Sequence, residues 1–161
     1  MVTQITEALA AAVADQAASA PRRRMNFNFH SGPEDNPHRF LNVLLKGTYI
    51  RPHRHLDPPK AESFIALDGE ADVLIFDDNG NITDRYALGR TGPDGMLWGV
   101  DLPVGVWHTV VAISDRVVCF EVKPGPWEPS NDKAFASWAP AEGDAAVPTY
   151  MARLESGEIT G

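Results

Sequence analysis

The chain has 161 residues, the length of one ordinary domain. Its 14 Lys and Arg residues against 22 Asp and Glu residues give a formal net charge of −8, which argues against nucleic acid and anionic membranes as partners, because both attract basic proteins. The single cysteine, Cys119, excludes an intrachain disulfide and predicts a reducing, cytoplasmic location.

Residues 1–22 are rich in alanine and predict an N-terminal helix. Its apolar residues recur at steps of three and four, which is typical of one helix face: Val2, Ile5, Leu9 and Val13. Two acidic residues interrupt the segment and no later run of 18 apolar residues follows, so neither a signal peptide nor a membrane span is expected. We expect this helix to pack on the rest of the domain or on the second subunit of a homodimer.

Residues 23–123 are expected to form the main domain from short strands. The run 25–30 alternates apolar and polar residues and would place Phe27 and Phe29 on one face. Asp68-Gly69 predicts a hairpin between strands 62–67 and 71–76, residues 78–81 a second turn before a strand at 82–88, and Gly92, Pro93, Asp94 and Gly95 a loop. Further strands are predicted at 40–45, 106–113 and 117–122.

This spacing of strands and turns predicts an all-β sandwich or barrel. Trp98 and Trp107 are predicted to lie in its core. Residues 124–161 are rich in proline, tryptophan and alanine, and predict a tail that wraps the barrel and ends flexibly, with a short helix near residues 132–138 as the alternative.

The histidines carry the chemistry that the sequence suggests. His53 and His55 are two residues apart, so in an extended chain both imidazoles project to the same side. Glu62 follows, and His108 comes directly after a turn built on Pro103 and Gly105. Three imidazoles and one carboxylate form a ligand set for Zn, Fe, Mn, Ni or Co, which predicts one divalent ion per chain. The alternatives are three unrelated imidazoles and a Glu62 that turns away into solvent.

The two stretches resemble the two sequence motifs of the cupin superfamily. Gly47, His53, His55, Glu62 and Gly69 match the first motif, although six residues separate His55 from Glu62 where three or four are usual. The second motif is matched by Pro103, Gly105 and His108, with its leading glycine displaced and Ala112 in place of asparagine. More narrowly, residues 5–150 resemble the WbuC-type cupin metalloproteins, a family named after a surface-polysaccharide gene cluster. The resemblance implies a double-stranded β-helix, or jelly roll, with a metal site.

Three residues are candidate pocket-lining groups. All three are catalytic candidates. Lys60 precedes Glu62 by two positions, so it binds an anionic substrate or acts with a shifted pKa, or it pairs with Glu62 or a tail carboxylate. Tyr49 and Arg51 share the face of His53 by the same alternation and are candidates for the mouth of the site, with a rim ion pair as the alternative for Arg51.

Three functions fit this set of residues. The first is a metal-dependent enzyme acting on a small polar or anionic molecule, such as a sugar derivative, through an isomerase, lyase or hydrolase reaction. The second is an Fe- or Ni-dependent dioxygenase, which uses the same ligands. The third is a non-catalytic module that binds a small molecule and is stabilised by its metal.

Overall fold

The computed structural model describes residues 2–90, 95–130 and 132–159. The described elements occur in this order: α1 (Glu7–Ser19), β1 (Arg24–Asn28), β2 (His38–Leu45), β3 (His53–Arg54), β4 (Glu62–Asp68), β5 (Glu70–Phe76), β6 (Ile82–Gly89), β7 (Gly99–Leu102), β8 (Trp107–Ala112), β9 (Arg116–Lys123), β10 (Ala134–Phe135) and α2 (Val147–Ser156). Residues 92–94 of the predicted loop lie outside the described part of the chain.

The strands form two five-stranded sheets that pack face to face. One sheet has the strand order β1-β2-β9-β4-β7 and the other has the order β10-β3-β8-β5-β6. Within each sheet, the neighbouring strands pair antiparallel. The central core lies between the sheets and includes Phe64, Val73, Leu88, Val110 and Val117. This architecture confirms the predicted all-β fold, a two-sheet β-sandwich with a short N-terminal helix.

The turn at Asp68-Gly69 corrects the predicted hairpin. It joins β4 to β5, but these strands belong to different sheets, so the turn carries the chain across the end of the sandwich. Gly69 has a φ of +72°, and a Cβ there would lie 2.1 Å from the carbonyl oxygen of Arg116. Glycine is therefore required here because the backbone packs closely where the chain crosses from one sheet to the other. The residue types of the turn do not by themselves distinguish such a crossing from a hairpin.

Helix α1 covers the outer face of β1 and β2. It starts at Glu7 because the Thr6 hydroxyl accepts a hydrogen bond from the backbone N–H of Leu9, so Val2 and Ile5 of the predicted stripe precede the helix and are exposed. Val13 is buried in a cluster that contains Phe27 and Phe29 on one face of the sheet, as their alternation predicts.

Three further segments differ from expectation. Trp98 is 74% exposed, because it precedes the edge strand β7, so its predicted core position was wrong, whereas Trp107 is half-buried. Within residues 132–138 the structure has the short strand β10, not a helix. Helix α2, near the end of the chain, was not predicted, and it buries Met151 and Leu154 against the second sheet.

None of the described helices is long and apolar enough to cross a membrane.

Candidate metal centre

Four side chains from three strands and one loop meet inside the sandwich. His53 lies on β3, His55 just after it, Glu62 at the start of β4 and His108 on β8. Their candidate ligand atoms all lie within 4.8 Å of one another, and each residue is at most 4% exposed. The strand register explains the meeting, because His53 pairs directly with His108 across the second sheet, while β4 presents Glu62 from the first sheet. The sequence-predicted set of four is therefore brought together.

Backbone carbonyls fix the orientation of all three imidazoles. His53 Nδ1 lies 3.0 Å from the Arg51 carbonyl, His108 Nδ1 lies 3.0 Å from the Val106 carbonyl, and His55 Nδ1 contacts the Asp132 carbonyl. Because a carbonyl only accepts, each Nδ1 carries the proton, and the lone pair of a neutral ring stays on Nε2. This is the tautomer and the outer hydrogen-bond pattern typical of histidine metal ligands.

Two of the Nε2 atoms contact the carboxylate of Glu62. His55 Nε2 lies 2.9 Å from Glu62 Oε1, and His108 Nε2 lies 3.1 Å from Glu62 Oε2. Both Nε2 atoms and Glu62 Oε2 are buried and have no hydrogen-bond partner among the described residues. When both rings are neutral, these atoms are buried acceptors in mutual contact, and such a contact is unfavourable unless a cation lies among them. This donor set therefore fits a divalent metal ion.

The ionisation states agree with that fit. Burial, followed by the charge of the nearby Lys133, holds the pKa of His53 well below its ordinary value, so the ring is neutral. Burial raises the pKa of Glu62, but hydrogen bonding by His108 and His55 to its ionised form and the Lys123 ammonium, 3.3 Å from Oε1, outweigh burial and hold this pKa well below its ordinary value. The site therefore offers neutral imidazole nitrogen and a carboxylate anion.

Lys60 is buried beside the site and is held by the C-terminal tail. Its Nζ donates to Asp132 Oδ1 at 2.7 Å and to the carbonyl of Pro126, while Lys123 Nζ lies 3.1 Å from Asp132 Oδ2. The structure therefore selects one of the alternatives predicted for Lys60, in which it pairs with a carboxylate of the tail. Asp132 was not singled out by sequence reasoning, because nothing local marks an acidic residue of the tail as a partner of the barrel.

Arg51 and Tyr49 take different positions. Arg51 donates through Nε and Nη2 to the carbonyl of Ala136 and lines a cavity of about 1170 Å³. Tyr49 packs in the apolar cluster near α2, and its hydroxyl donates to the carbonyl of Pro140. The structure thus brings Arg51, but not the hydroxyl of Tyr49, to the cavity.

The cavity adjoins the four-residue group. Two of its lining residues connect them, because Lys123 contacts Glu62 and Asp132 binds His55. One wall of the cavity is the inner face of β1, β2 and β9, which presents amide and carboxylate side chains: Asn26, Asn28, Asn42 and Glu121. The cavity is therefore separated from the four-residue group by Lys123 and Asp132, and none of the four residues lines it.

Glu121 predicts a measurable pH dependence of stability. Burial, followed by the charge of Glu62, raises its pKa to about 7, whereas an unfolded glutamate ionises near pH ~4.3. The folded state holds this proton more tightly, so the stabilisation is fully present below the unfolded pKa and is lost as the pH rises through 7. Between about pH 5 and 8, the metal-free wild type is expected to lose about 2–3 kcal/mol relative to Glu121→Gln, measured by urea denaturation. A pH-independent difference between the two proteins contradicts this assignment.

The comparisons with known proteins agree with the fold and assign no activity. The DUF6016 family model, described as a domain of unknown function, matches residues 5–88. No curated protein matches the chain in sequence. Among solved structures, protein SO0799 from Shewanella oneidensis superposes with a TM-score of 0.57 at 11% identity, covering 85% of this chain and 87% of that one.

Capsular polysaccharide assembling protein CapF from Staphylococcus aureus superposes with a TM-score of 0.55 at 21% identity, over 72% of this chain and 30% of CapF. The Schizosaccharomyces pombe Cnp3 cupin domain matches with a TM-score of 0.46 at 14% identity, over 64% of this chain and 65% of that one. This chain thus spans about a third of the length of CapF. At these identities, the likeness to CapF and SO0799 is one of fold alone.

Proposed function

The chain belongs to the DUF6016 family, a domain of unknown function, and from its buried site we propose that it binds one divalent metal ion through His53, His55, Glu62 and His108. The observation that carries this proposal is the contact of two buried Nε2 atoms with one buried carboxylate, in which His55 Nε2, His108 Nε2 and Glu62 Oε2 have no hydrogen-bond partner among the described residues. Zn, Fe, Mn, Ni and Co all suit three imidazoles and a carboxylate.

We further propose that the protein is a metal-dependent enzyme that acts on a small polar molecule. A divalent ion at this site would supply Lewis acidity to a substrate oxygen or lower the pKa of water. The protein's own residues would position the molecule, because the adjoining cavity presents amides and charged groups and its volume of about 1170 Å³ accommodates a small ligand. The buried position of the site supports catalysis, since it limits access of bulk water.

A sugar-derived ligand is part of this proposal, and so is membership of the WbuC-type cupins. Two names support it: CapF is called a capsular polysaccharide assembling protein, and the WbuC family is named after a surface-polysaccharide gene cluster. A homodimer and a cytoplasmic location also belong to the proposal. Exposed apolar side chains beside the edge strand β7, Leu97 and Trp98, and the neighbouring Ile65 on β4 support self-association at that edge.

The first test is the metal content of the natively purified protein and of two histidine variants. Plasma mass spectrometry is expected to find about one divalent ion per chain in the wild type, and calorimetric titration of the metal-free His108→Ala variant is expected to give a zinc Kd at least ~100-fold weaker. The matched control is His30→Ala, because His30 lies outside the group and contacts the backbone of Arg39. Equal zinc affinity of His108→Ala and wild type contradicts the proposed site.

A further inference from the structure

The positive charges that line the cavity differ in how they are neutralised. Arg22 and Arg24 pair with Glu142 at the outer rim. Lys123 is held between Glu62 and Asp132. These three cations therefore already have carboxylate partners and are poor candidates for a ligand.

Two cations of the lining form no salt bridge with a carboxylate among the described residues. Arg51 binds only the carbonyl of Ala136, which leaves the charge of its guanidinium uncompensated. Lys133 lines the same cavity, is half-buried and makes no hydrogen bond or salt bridge with any described residue, although the charges of Glu62, Glu121 and Asp132 act on it from a longer distance. A half-buried ammonium without a partner is costly, and such a group is favoured where a ligand supplies the opposite charge.

The strand β10 places both cations beside the proposed metal centre. Phe135 pairs with His53 in the β10–β3 ladder, and its ring centroid lies 6.2 Å from that of His53. Lys133 precedes Phe135 by two residues, and both line the cavity. The guanidinium carbon of Arg51 lies 5.6 Å from the centroid of the same Phe135 ring. The mouth of the cavity next to His53 is therefore flanked by two positive groups.

The cavity wall formed by β1, β2 and β9 carries a hydrogen-bond acceptor that lacks a donor. Asn42 Nδ2 donates to Glu121 Oε2 at 3.0 Å, whereas Asn42 Oδ1 is buried and has no partner among the described residues. Asn26 pairs with Asn42 in the β1–β2 ladder, and both line the cavity. An unpartnered amide oxygen next to a second amide suits a ligand hydroxyl.

We infer that Arg51 and Lys133 bind a carboxylate or phosphate group of the ligand, and that Asn42 accepts a hydrogen bond from one of its hydroxyls. The inference rests on the proposed function and narrows it: the molecule taken up beside the metal ligands is a hydroxylated anion, such as a sugar acid or a sugar phosphate. It also assigns the anion to Lys133 and not to Lys60, whose ammonium is occupied by Asp132.

The test is calorimetric titration of the zinc-loaded protein with three probes: gluconate, glucose 6-phosphate and glucose. At least one of the two anions is expected to bind about tenfold or more tightly than neutral glucose. Tighter binding of gluconate indicates a carboxylate ligand, and tighter binding of glucose 6-phosphate indicates a phosphate ligand. When the proteins are saturated with zinc, the Lys133→Gln variant is expected to weaken binding of that anion about tenfold, and Lys133→Glu further. Lys46→Gln is the matched control, since Lys46 is exposed and lies outside the cavity lining.

Two results overturn the inference: anions that bind no more tightly than glucose, or an anion Kd in Lys133→Gln within twofold of the wild type. Circular dichroism confirms that each variant is folded. The outcomes separate the two proposals, because failure of the protein to bind zinc contradicts the proposed function, whereas normal zinc binding without a preference for anions contradicts only the anion site.

Discussion

Replacing Asp132 with alanine is expected to lower the free energy of unfolding by about 3–5 kcal/mol. The Asp132 carboxylate is 4% exposed and lies between the ammonium groups of Lys60, at 2.7 Å, and Lys123, at 3.1 Å. Its removal leaves Lys60 buried with only the Pro126 carbonyl as acceptor, and an uncompensated buried charge is strongly destabilising. Urea denaturation of both proteins at pH 7 measures the loss.

The control is an ion pair at the surface. Glu7 contacts Arg116 at 2.8 Å, but the Glu7 side chain is 71% exposed, so Glu7→Ala is expected to cost at most about 1 kcal/mol. A cost for Asp132→Ala that is as small as this contradicts the structural role given to the tail. Burial raises the pKa of Asp132, but Lys123 and Lys60 lower it by more, so the net pKa lies below its ordinary value. The stabilising contribution of the Asp132 carboxylate is therefore present above the unfolded pKa and is lost in acid.

Saturation with zinc is expected to stabilise the metal-free wild type by about 3–4 kcal/mol at free zinc concentrations of about 100 to 1000 times Kd. The stabilisation arises because the four ligands meet only in the folded state, so the ion binds the folded chain in preference to the unfolded one. Glu62→Gln removes the only carboxylate of the described group and is expected to reduce the gain below about 1 kcal/mol at the same zinc concentration. Thermal or urea unfolding with and without zinc gives both values.

The matched control for Glu62 is Glu155→Gln. Glu155 is exposed on α2, outside the group, so this variant carries the same chemical change and is expected to keep the full zinc stabilisation. A Glu62→Gln protein that is stabilised by zinc as strongly as the control is the result that would remove Glu62 from the ligand set.

The strands near the site were predictable because their signals are local. Alternation of apolar and polar residues predicted β1 and the shared direction of His53 and His55. The turn at residues 78–81 correctly marked the junction of β5 and β6, which pair in the structure. At Asp68-Gly69 the same kind of signal failed, since a tight turn has the same composition whether the next strand pairs with the previous one or crosses to the other sheet.

The sequence by itself determined the identity of the four candidate ligands and an all-β fold, because both follow from residue type and short-range spacing. Only the tertiary structure decided which charged side chains form salt bridges with one another. Lys60 and Asp132 are 72 residues apart and meet in the folded chain, so their pairing depends on the path of the tail across the barrel. The same path brings Lys133 near His53 without a salt bridge to a carboxylate of the described residues. Buried charges are compensated by neighbours in space, and spacing along the chain does not reveal which neighbours these are.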